Sequence, residues 1–584
     1  MSEPPNSTID EVRVEQPREA PQTGAAERIG AERIASYHEF TRSTGVNRFV
    51  YILVRLLMQP FFLIWFRLER VGREHAKVAS GRGLIVASNH RSFLDPFLVG
   101  AAVPWNRPIH YVAKVELFEK RLQGWFLNRL GAYPVNRGQA DTDTLETSRG
   151  ILDRGGALCI FPEGTRIRRG SLAAPHRGVG RLALESGATV LPVAVHGSEH
   201  VRRGWRIRPR KVKMRFGTVV TFPQTENPSP SLAATVTERI WPSVELQWEW
   251  LGGLPPMRKA AVIGAGSWGT AVAVLLARGG VEVQLGTRTE EQAEAITAAR
   301  ENANYLAGVT LPDAIAVKRS TEIEVSGLDL ICLAVPSASL PAAVGQLGDK
   351  IGSRTAVLLL SKGFVPPIGT LPSTYVGDRV RARAISSLGG PAHAKEAASG
   401  TAALVLASGD EDLRAQLGDV FDRAGLICER SSDVIGVEIA GAAKNAASLA
   451  AAAAEPHGLN AAGIAAAEIW QECVAYSNAL GGKPETFHGL AGIGDLTATV
   501  LAPGSRNRRA GELLGTGVPA EQIPDRLGQA SEGLDSVPLI AEAVARAGVG
   551  AESLQGLADL IAGDLTAVEW VSRLRRAERA RRAA

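Results

Sequence analysis

AAVIGAGSWGT, residues 260–270, places three apolar residues (Ala261, Val262 and Ile263) directly before Gly264, Gly266 and Gly269, and an Ala/Val/Leu-rich run to Arg278 follows. The pattern predicts a buried strand, a glycine turn and a helix. In such a unit the first glycine makes the turn, the second lets the backbone approach a pyrophosphate, and the third allows close helix–strand packing. The helix N-terminus then offers free N–H groups to the anion. A second strand, Val281 to Leu285, ends in Gly286-Thr287-Arg288 without the carboxylate that would grip a ribose 2′-hydroxyl. Arg288 is therefore placed to meet a 2′-phosphate, and NADP is favoured over NAD.

Around this unit the chain is too long for one core: 584 residues predict about three or four domains. The net charge of +5 is small but unevenly placed, with basic clusters from Arg202 to Lys213 and from Arg573 to Arg582. Such clusters suit an anionic surface or anionic substrates, a solvated charged face being the alternative for the C-terminal one. Single-stranded nucleic acid would call for stacking aromatics. Trp205 is the only one in the first cluster and the second has none, so no nucleic acid is expected and anionic lipid is the better partner. Cys159, Cys332, Cys428 and Cys473 form no C-x-x-C pair, which argues against a metal site or a disulfide framework and for a reducing cytoplasm. The polar start MSEPPNSTIDEVRVEQ does not read as a secretory signal.

The organisation expected is an α/β chain of several parts. Residues 1–45 form a disordered or helical extension, and 46–222 an α/β domain in which short apolar strands (LIVAS, ALCIF, TVLPVAVHG) alternate with helical runs. Within it, residues 49–68 (FVYILVRLLMQPFFLIWFRL) are the most apolar and aromatic stretch. Arg55 and the Gln59-Pro60 break make it a poor membrane span, so it reads as a helix pair lying in the headgroup interface, with a buried core helix as the alternative. Residues 223–257 read as a linker, 258–433 as the dinucleotide-binding Rossmann domain, 434–570 as an all-helical domain, and 571–584 as a basic tail.

In the first half, His90 and Asp95 follow a buried strand and open a helix. The carboxylate can accept the imidazole N–H and leave the other nitrogen to take a proton from an alcohol, which makes direct acyl transfer to a substrate hydroxyl the natural chemistry. Arg137 and Arg166 lie on strand-end loops where guanidinium groups can hold a phosphate monoester. These residues, with Phe161-Pro162-Glu163-Gly164-Thr165-Arg166 and Val190-Leu191-Pro192-Val193, stand in the order of the four motifs of the glycerolipid acyltransferases. The stretch from 50 to 222 most resembles the 1-acylglycerol-3-phosphate (lysophosphatidate) acyltransferases. That resemblance implies His90 as base, Asp95 as its partner, and Arg137, Glu163, Gly164, Thr165 and Arg166 around the acceptor phosphate. Pro192 would shape the site of the acyl thioester, acyl-CoA or acyl-ACP.

In the second half, Lys362 ends a parallel strand, where ligands bind in such sheets, Gly389-Gly390-Pro391 follows the next strand, and Lys444 sits on an otherwise apolar helix. An ammonium there can protonate a ketone as hydride arrives. Asp495 supplies a carboxylate and Ser505-Arg506-Asn507 a further phosphate-binding arginine. With A-G-S-W-G-T, S-K-G, A-A-K-N, G-D-L and S-R-N-R-R matched over about residues 258–570, the chain is similar to the NAD(P)-dependent glycerol-3-phosphate dehydrogenases. The resemblance implies Lys444 as catalytic acid/base, with Lys362, Gly390, Asp495, Ser505, Arg506 and Asn507 around dihydroxyacetone phosphate or glycerol 3-phosphate. It places Gly264, Gly266, Ser267, Trp268, Gly269, Arg288, Lys362, Ala394, Arg506 and Glu532 around NADP or NAD, and suggests a homodimer through the helical domain. Gly390-Pro391-Ala392 departs from the family's Gly-Pro-Ser.

Together these readings describe two enzymes of three-carbon phosphates in one chain, cytoplasmic and peripherally associated with the membrane. The acceptor is lysophosphatidate by motif wording or glycerol 3-phosphate by the logic of the fusion. An inactive anchor is the remaining alternative for the first half.

Overall fold

The computed structural model describes residues 26, 28–77, 82–104, 107–135, 142–203, 205–502, 504–528 and 531–574. It divides into two compact units, one reaching from the N-terminal side to Pro255 and the other running from Pro256, apart from residues 169–171.

Among the described residues the first unit is built on seven strands: β1 (Glu69–Val71), β2 (Leu84–Ser88), β3 (Ile109–Lys114), β4 (Ala132–Val135), β5 (Ala157–Ile160), β6 (Thr189–His196) and, beyond the short hairpin β7 (Arg202–Arg203) and β8 (Arg206–Ile207), β9 (Lys213–Phe216). Their order is β1-β9-β6-β2-β5-β3-β4, with every neighbouring pair parallel except β6–β9. The run LIVAS in β2 is buried throughout because both faces of the sheet are covered. Leu84 and Val86 enter one core with the helices Arg48–Trp65 and Asp95–Ala102, while Ile85 and Ala87 enter the other.

Two expectations need correction here. Residues 48–65 form one continuous helix, not a pair broken at Gln59-Pro60. Pro60 removes the N–H that would bond the Leu56 carbonyl, but both residues are on the exposed side, where solvent can take that carbonyl. By length and composition the helix could cross a membrane. Residues 223–257 are likewise no simple linker. The helix Pro230–Trp250 starts at the Ser229 cap, and Val236, Ile240, Trp241, Val244 and Trp248 complete the second core of this unit. Its apolar residues recur at helical spacing beneath a polar Pro/Ser preface, which is why the stretch reads as a boundary. The extension also contributes: Tyr37, from the helix Ala31–Ser43, packs on Phe118.

The second unit opens with eight strands among the described residues: β10 (Lys259–Ile263), β11 (Glu282–Thr287), β12 (Ile315–Arg319), β13 (Leu330–Leu333), β14 (Ala356–Leu359), β15 (Ile385–Gly389), β16 (Ala403–Ser408) and β17 (Ile427–Ser431). The order β12-β11-β10-β13-β14-β15-β16-β17 has one antiparallel pair, β15–β16. It reverses direction of growth between β10 and β13, the crevice where doubly wound sheets take ligands. From Val434 onward the described elements are helical. Ala440, Ala443, Ala447 and Ala450 of the central helix Val434–Ala454 let the neighbouring helices approach closely.

Candidate active sites

In the first unit the catalytic candidates sit where β2 ends. Asn89 anchors this loop: its amide donates to the Val195 carbonyl (3.0 Å) and accepts from the Val195 N–H (2.8 Å), pinning the end of β2 to β6. His90 Nδ1 lies 3.0 Å from Asp95 Oδ2. The same oxygen accepts the backbone N–H groups of Arg91 and Ser92, each at 2.6 Å, so the fully buried carboxylate is fixed before it meets the imidazole. An ionised carboxylate only accepts, so the proton stands on Nδ1 and Nε2 is left for the substrate. The imidazole stacks on Phe161 at 4.2 Å between ring centroids.

Glu163 takes a different part from the one expected of it. Its two oxygens accept the N–H groups of His90 (2.6 Å) and Ala173 (3.0 Å), and it is buried. It therefore braces the catalytic loop instead of facing an acceptor phosphate, and burial pushes its carboxyl up to about 7. Gly164 has φ of 68°, a left-handed conformation that favours glycine. Thr165 and Arg166 are exposed beyond it, free to face a phosphate, whereas Arg137 lies outside the described residues. Pro192 is within β6, its carbonyl accepting from Gly217 N–H at 2.8 Å.

Sequence reasoning missed Trp248. The Arg91 guanidinium lies 4.4 Å from that ring's centroid and donates to the Ile167 carbonyl at 2.7 Å, so the helix Pro230–Trp250 holds the residue next to His90. The signal was the tryptophan spacing in a helix assigned to a linker.

In the second unit, the glycine turn after β10 is built as the sequence predicts. Gly264 has φ of 114°, and a Cβ on Gly269 would stand 2.0 Å from the Gly264 carbonyl. By contrast, a Cβ on Gly266 would meet nothing within 4 Å, which leaves open space before the N-terminus of the helix Ser267–Arg278. That space and those N–H groups fit a pyrophosphate. Trp268 and Ala394 each pack on the cluster of Ala271, Leu306 and Ala398, and Arg288 is exposed directly after β11. Glu532 accepts the Ser337 hydroxyl (2.9 Å) and the Lys362 N–H (3.3 Å), joining the ends of β13 and β14.

Beside this crevice Asp495 joins two lysines. Lys362 Nζ is 2.7 Å from Oδ2 and Lys444 Nζ 3.3 Å from Oδ1. Thr499, absent from the expected set, accepts from Lys444 Nζ at 3.0 Å and donates to the Asp495 carbonyl at 2.7 Å. The Lys444 side chain keeps 12% of its surface exposed on an otherwise buried helix, so its ammonium can reach a ligand. Burial, then the nearby Lys362 charge, pushes it down to about 8 against the pull of Asp495. Burial acts to raise Asp495, but Lys362 and Lys444 outweigh it and hold the carboxyl below its ordinary range.

The remaining candidates fall into two groups. Gly390 takes a φ of 101° at the end of β15, and Arg506 is exposed at the head of the helix Arg506–Gly515, whose cap is Ser505. Asn507 is half-buried: it donates to Asn445 Oδ1 (2.8 Å) and accepts from the Ser531 hydroxyl (2.9 Å) and the Gly533 N–H (3.1 Å). Asn445 in turn donates to the Lys362 carbonyl at 3.0 Å. Asn507 thus positions the lysine strand end through Asn445.

Comparison with known proteins agrees with this division. Family models described as acyltransferase, NAD-dependent glycerol-3-phosphate dehydrogenase N-terminus and NAD-dependent glycerol-3-phosphate dehydrogenase C-terminus match residues 68–196, 259–414 and 433–572 respectively. The glycerol-3-phosphate dehydrogenase (NAD(P)+) of Thermus thermophilus is 40% identical over 271 residues, covering 46% of this chain and 83% of that protein. A second such enzyme, from Sphingopyxis alaskensis, is 33% identical over 316 residues, covering 53% and 94%. The crystal structure of glycerol-3-phosphate dehydrogenase from Coxiella burnetii aligns with a TM-score of 0.50 at 27% identity, covering 55% of this chain and 99% of that one.

Proposed function

Because the chain belongs to the NAD(P)-dependent glycerol-3-phosphate dehydrogenase family and carries an acyltransferase domain ahead of its Rossmann-type and helical domains, we propose that it is a bifunctional enzyme of glycerophospholipid synthesis. The dehydrogenase interconverts dihydroxyacetone phosphate and glycerol 3-phosphate. The acyltransferase moves an acyl group from a thioester, acyl-CoA or acyl-ACP, to the free hydroxyl of 1-acylglycerol 3-phosphate, giving phosphatidate.

The Lys362–Asp495–Lys444 bridge carries the dehydrogenase reading. A bound nicotinamide supplies the hydride. Lys444 gives its proton to the ketone oxygen as negative charge develops there, and Asp495 and Thr499 fix the ammonium in place. An acid poised near neutrality suits a reaction that runs in both directions. Arg506, at the head of its helix, is placed to take the substrate phosphate with help from the N-terminal N–H groups.

In the acyltransferase the His90–Asp95 pair carries the reading. Nε2 takes the proton of the acceptor hydroxyl as its oxygen bonds to the thioester carbonyl carbon. The C–S bond then breaks, and the imidazolium returns the proton to the departing sulfur. Asp95 stabilises the imidazolium without taking the proton. Arg166 is free to hold the acceptor phosphate. A lipid acceptor also accounts for the helix Arg48–Trp65. Tyr51, Arg55 and Phe62 face the domain, and the Arg55 guanidinium donates mid-helix to the carbonyls of Ala101 (3.2 Å), Val103 and Pro104 (3.4 Å). The opposite side exposes Phe49, Leu53, Leu56, Leu57 and Ile64. A helix tied to its domain along one side and apolar on the other favours lying in the cytoplasmic membrane interface over crossing it.

Purified full-length protein given labelled acyl-CoA and either lysophosphatidate or glycerol 3-phosphate tests the assignment. Acylated lysophosphatidate is expected. Acylation of glycerol 3-phosphate alone would make the two activities consecutive on one molecule, and acylation of neither would reduce the first unit to an anchor.

A further inference from the structure

The helix Arg121–Arg129 (RLQGWFLNR) is amphipathic in reverse. It buries Gly124 and Asn128, its smallest and one of its most polar residues, because the Tyr37 hydroxyl and the Phe118 backbone occupy the space where a Cβ on Gly124 would go. Apart from Leu127, which packs inward, its large apolar residues face outward: Leu122 is 78% and Trp125 45% exposed, and Phe126 and Leu117 stand open beside them. A surface helix normally buries such residues, so a contiguous exposed group marks a partner surface.

Between this helix and the helix Ala31–Ser43 lies a cleft of about 590 Å³ that neither catalytic centre uses. Arg33, Arg121, Arg129, Phe40, Leu122 and Trp125 line it, and no acidic side chain does so among the described residues. Arg129 lies 3.6 Å from the Phe40 ring centroid and donates to Asn128 Oδ1, while Arg33 is held by the carbonyls of Phe118 and Glu119. Arg121 is exposed with no ion-pair partner among the described residues. The cleft thus has two fixed cationic walls, one uncommitted guanidinium and an apolar rim. Its base adjoins the apolar helix described above, since the Asn47 N–H donates to the Arg129 carbonyl at 2.9 Å one residue before that helix begins. Phe49, 76% exposed, continues the apolar surface from there.

We propose that this cleft binds the phosphate-bearing headgroup of an anionic membrane phospholipid, with Leu122, Trp125 and Phe126 entering the interface around it. Charge complementarity selects the anion, and continuity with the apolar helix selects a bilayer lipid over a soluble phosphate. Tryptophan and arginine side by side are the residue types that settle at the headgroup level. The inference rests on the membrane reading of residues 48–65, and the test separates the two.

Flotation of the full-length protein is measured on vesicles of phosphatidylcholine alone and of phosphatidylcholine with phosphatidylglycerol. Arg121→Gln is expected to weaken binding to the anionic vesicles about fivefold and Arg121→Glu about thirtyfold, as one and two unit charges near a charged bilayer imply. Arg121→Lys should bind as the wild type does. Binding to neutral vesicles, which reads the apolar helix, should be unchanged in all three. Unaltered anionic binding by Arg121→Glu would overturn the proposal while leaving the membrane reading intact. Failure of the wild-type chain to float on either vesicle would overturn both. Inorganic phosphate at matched ionic strength should leave flotation unchanged, and release by phosphate would assign the cleft to a free anion and overturn the headgroup assignment.

Discussion

Asp95 and Asp495 are both buried carboxylates at strand-end crevices, yet one serves a neutral base and the other a cationic acid. Asp95 faces an imidazole five residues away in sequence and is otherwise held by backbone N–H groups of its own loop, so its charge orients a base without neutralising a cation. Asp495 lies 133 residues from Lys362 and 51 from Lys444 and stands between two ammonium groups. Burial first, and then the Lys362 charge, bring Lys444 down to about 8, while the two ammonium groups keep the carboxylate ionised. A local loop thus suffices to make a base, whereas the acid that releases its proton near neutrality is made by burying an ammonium and bringing a second cation beside it from another element.

Removing each proton carrier gives the strongest test that the two centres are separate. His90→Ala should lower acyl transfer about ten-thousandfold and leave ketone reduction unchanged. Lys444→Ala should lower ketone reduction about a thousandfold and leave acyl transfer unchanged. Both rates are measured on the same preparations. Loss of both activities in either variant would mean that the centres are coupled, and the contrast drawn above would fail.

A smaller change probes how Lys444 is poised. With a midpoint near 8, the ammonium that reduction requires is lost as pH rises, so kcat for dihydroxyacetone phosphate should fall above about 8. Oxidation of glycerol 3-phosphate needs the free amine and should rise through the same range. The Thr499 hydroxyl accepts from the ammonium, so Thr499→Val favours the neutral amine. It should move both midpoints downward by about one pH unit and reduce kcat for reduction at about pH 9 roughly tenfold, about the worth of one hydrogen bond to a charged group. An unshifted pH profile would show that the threonine plays no part in setting the proton affinity.

These residues also mark how far the sequence alone could be read. His90 and Asp95 were legible because five residues of one loop fix their geometry, and the glycine turn was legible because strand, turn and helix are contiguous. The Lys444–Asp495 contact was legible only through family motifs, since no local pattern brings residues 51 apart together. Glu163 was misassigned because a carboxylate in a phosphate-binding motif and one bonding two backbone N–H groups look alike in sequence. Trp248 was lost to a domain boundary drawn at a Pro/Ser stretch that is in fact the preface to a core helix. Trp248→Leu, which removes the ring under Arg91, should lower acyl transfer several-fold, as a partly desolvated cation–π contact of about 1 kcal/mol implies. Ketone reduction should not change, and equal loss of both would indicate general unfolding.

The smallest expected effect concerns the far end of the crevice, where the two centres cease to be comparable because only the second takes a dinucleotide. β11 ends in Thr287 and is followed by the exposed Arg288, without a carboxylate to accept both ribose hydroxyls. A 2′-phosphate there would gain a guanidinium partner, and an unmodified ribose would lose nothing by its removal. Because the pair would be exposed to water, its worth is on the order of 1 kcal/mol, so Arg288→Ala should lower kcat/KM for NADPH about fivefold and leave NADH unchanged. Steady-state rates with both cofactors decide it, and an equal loss for the two would show that Arg288 holds a part of the nucleotide they share.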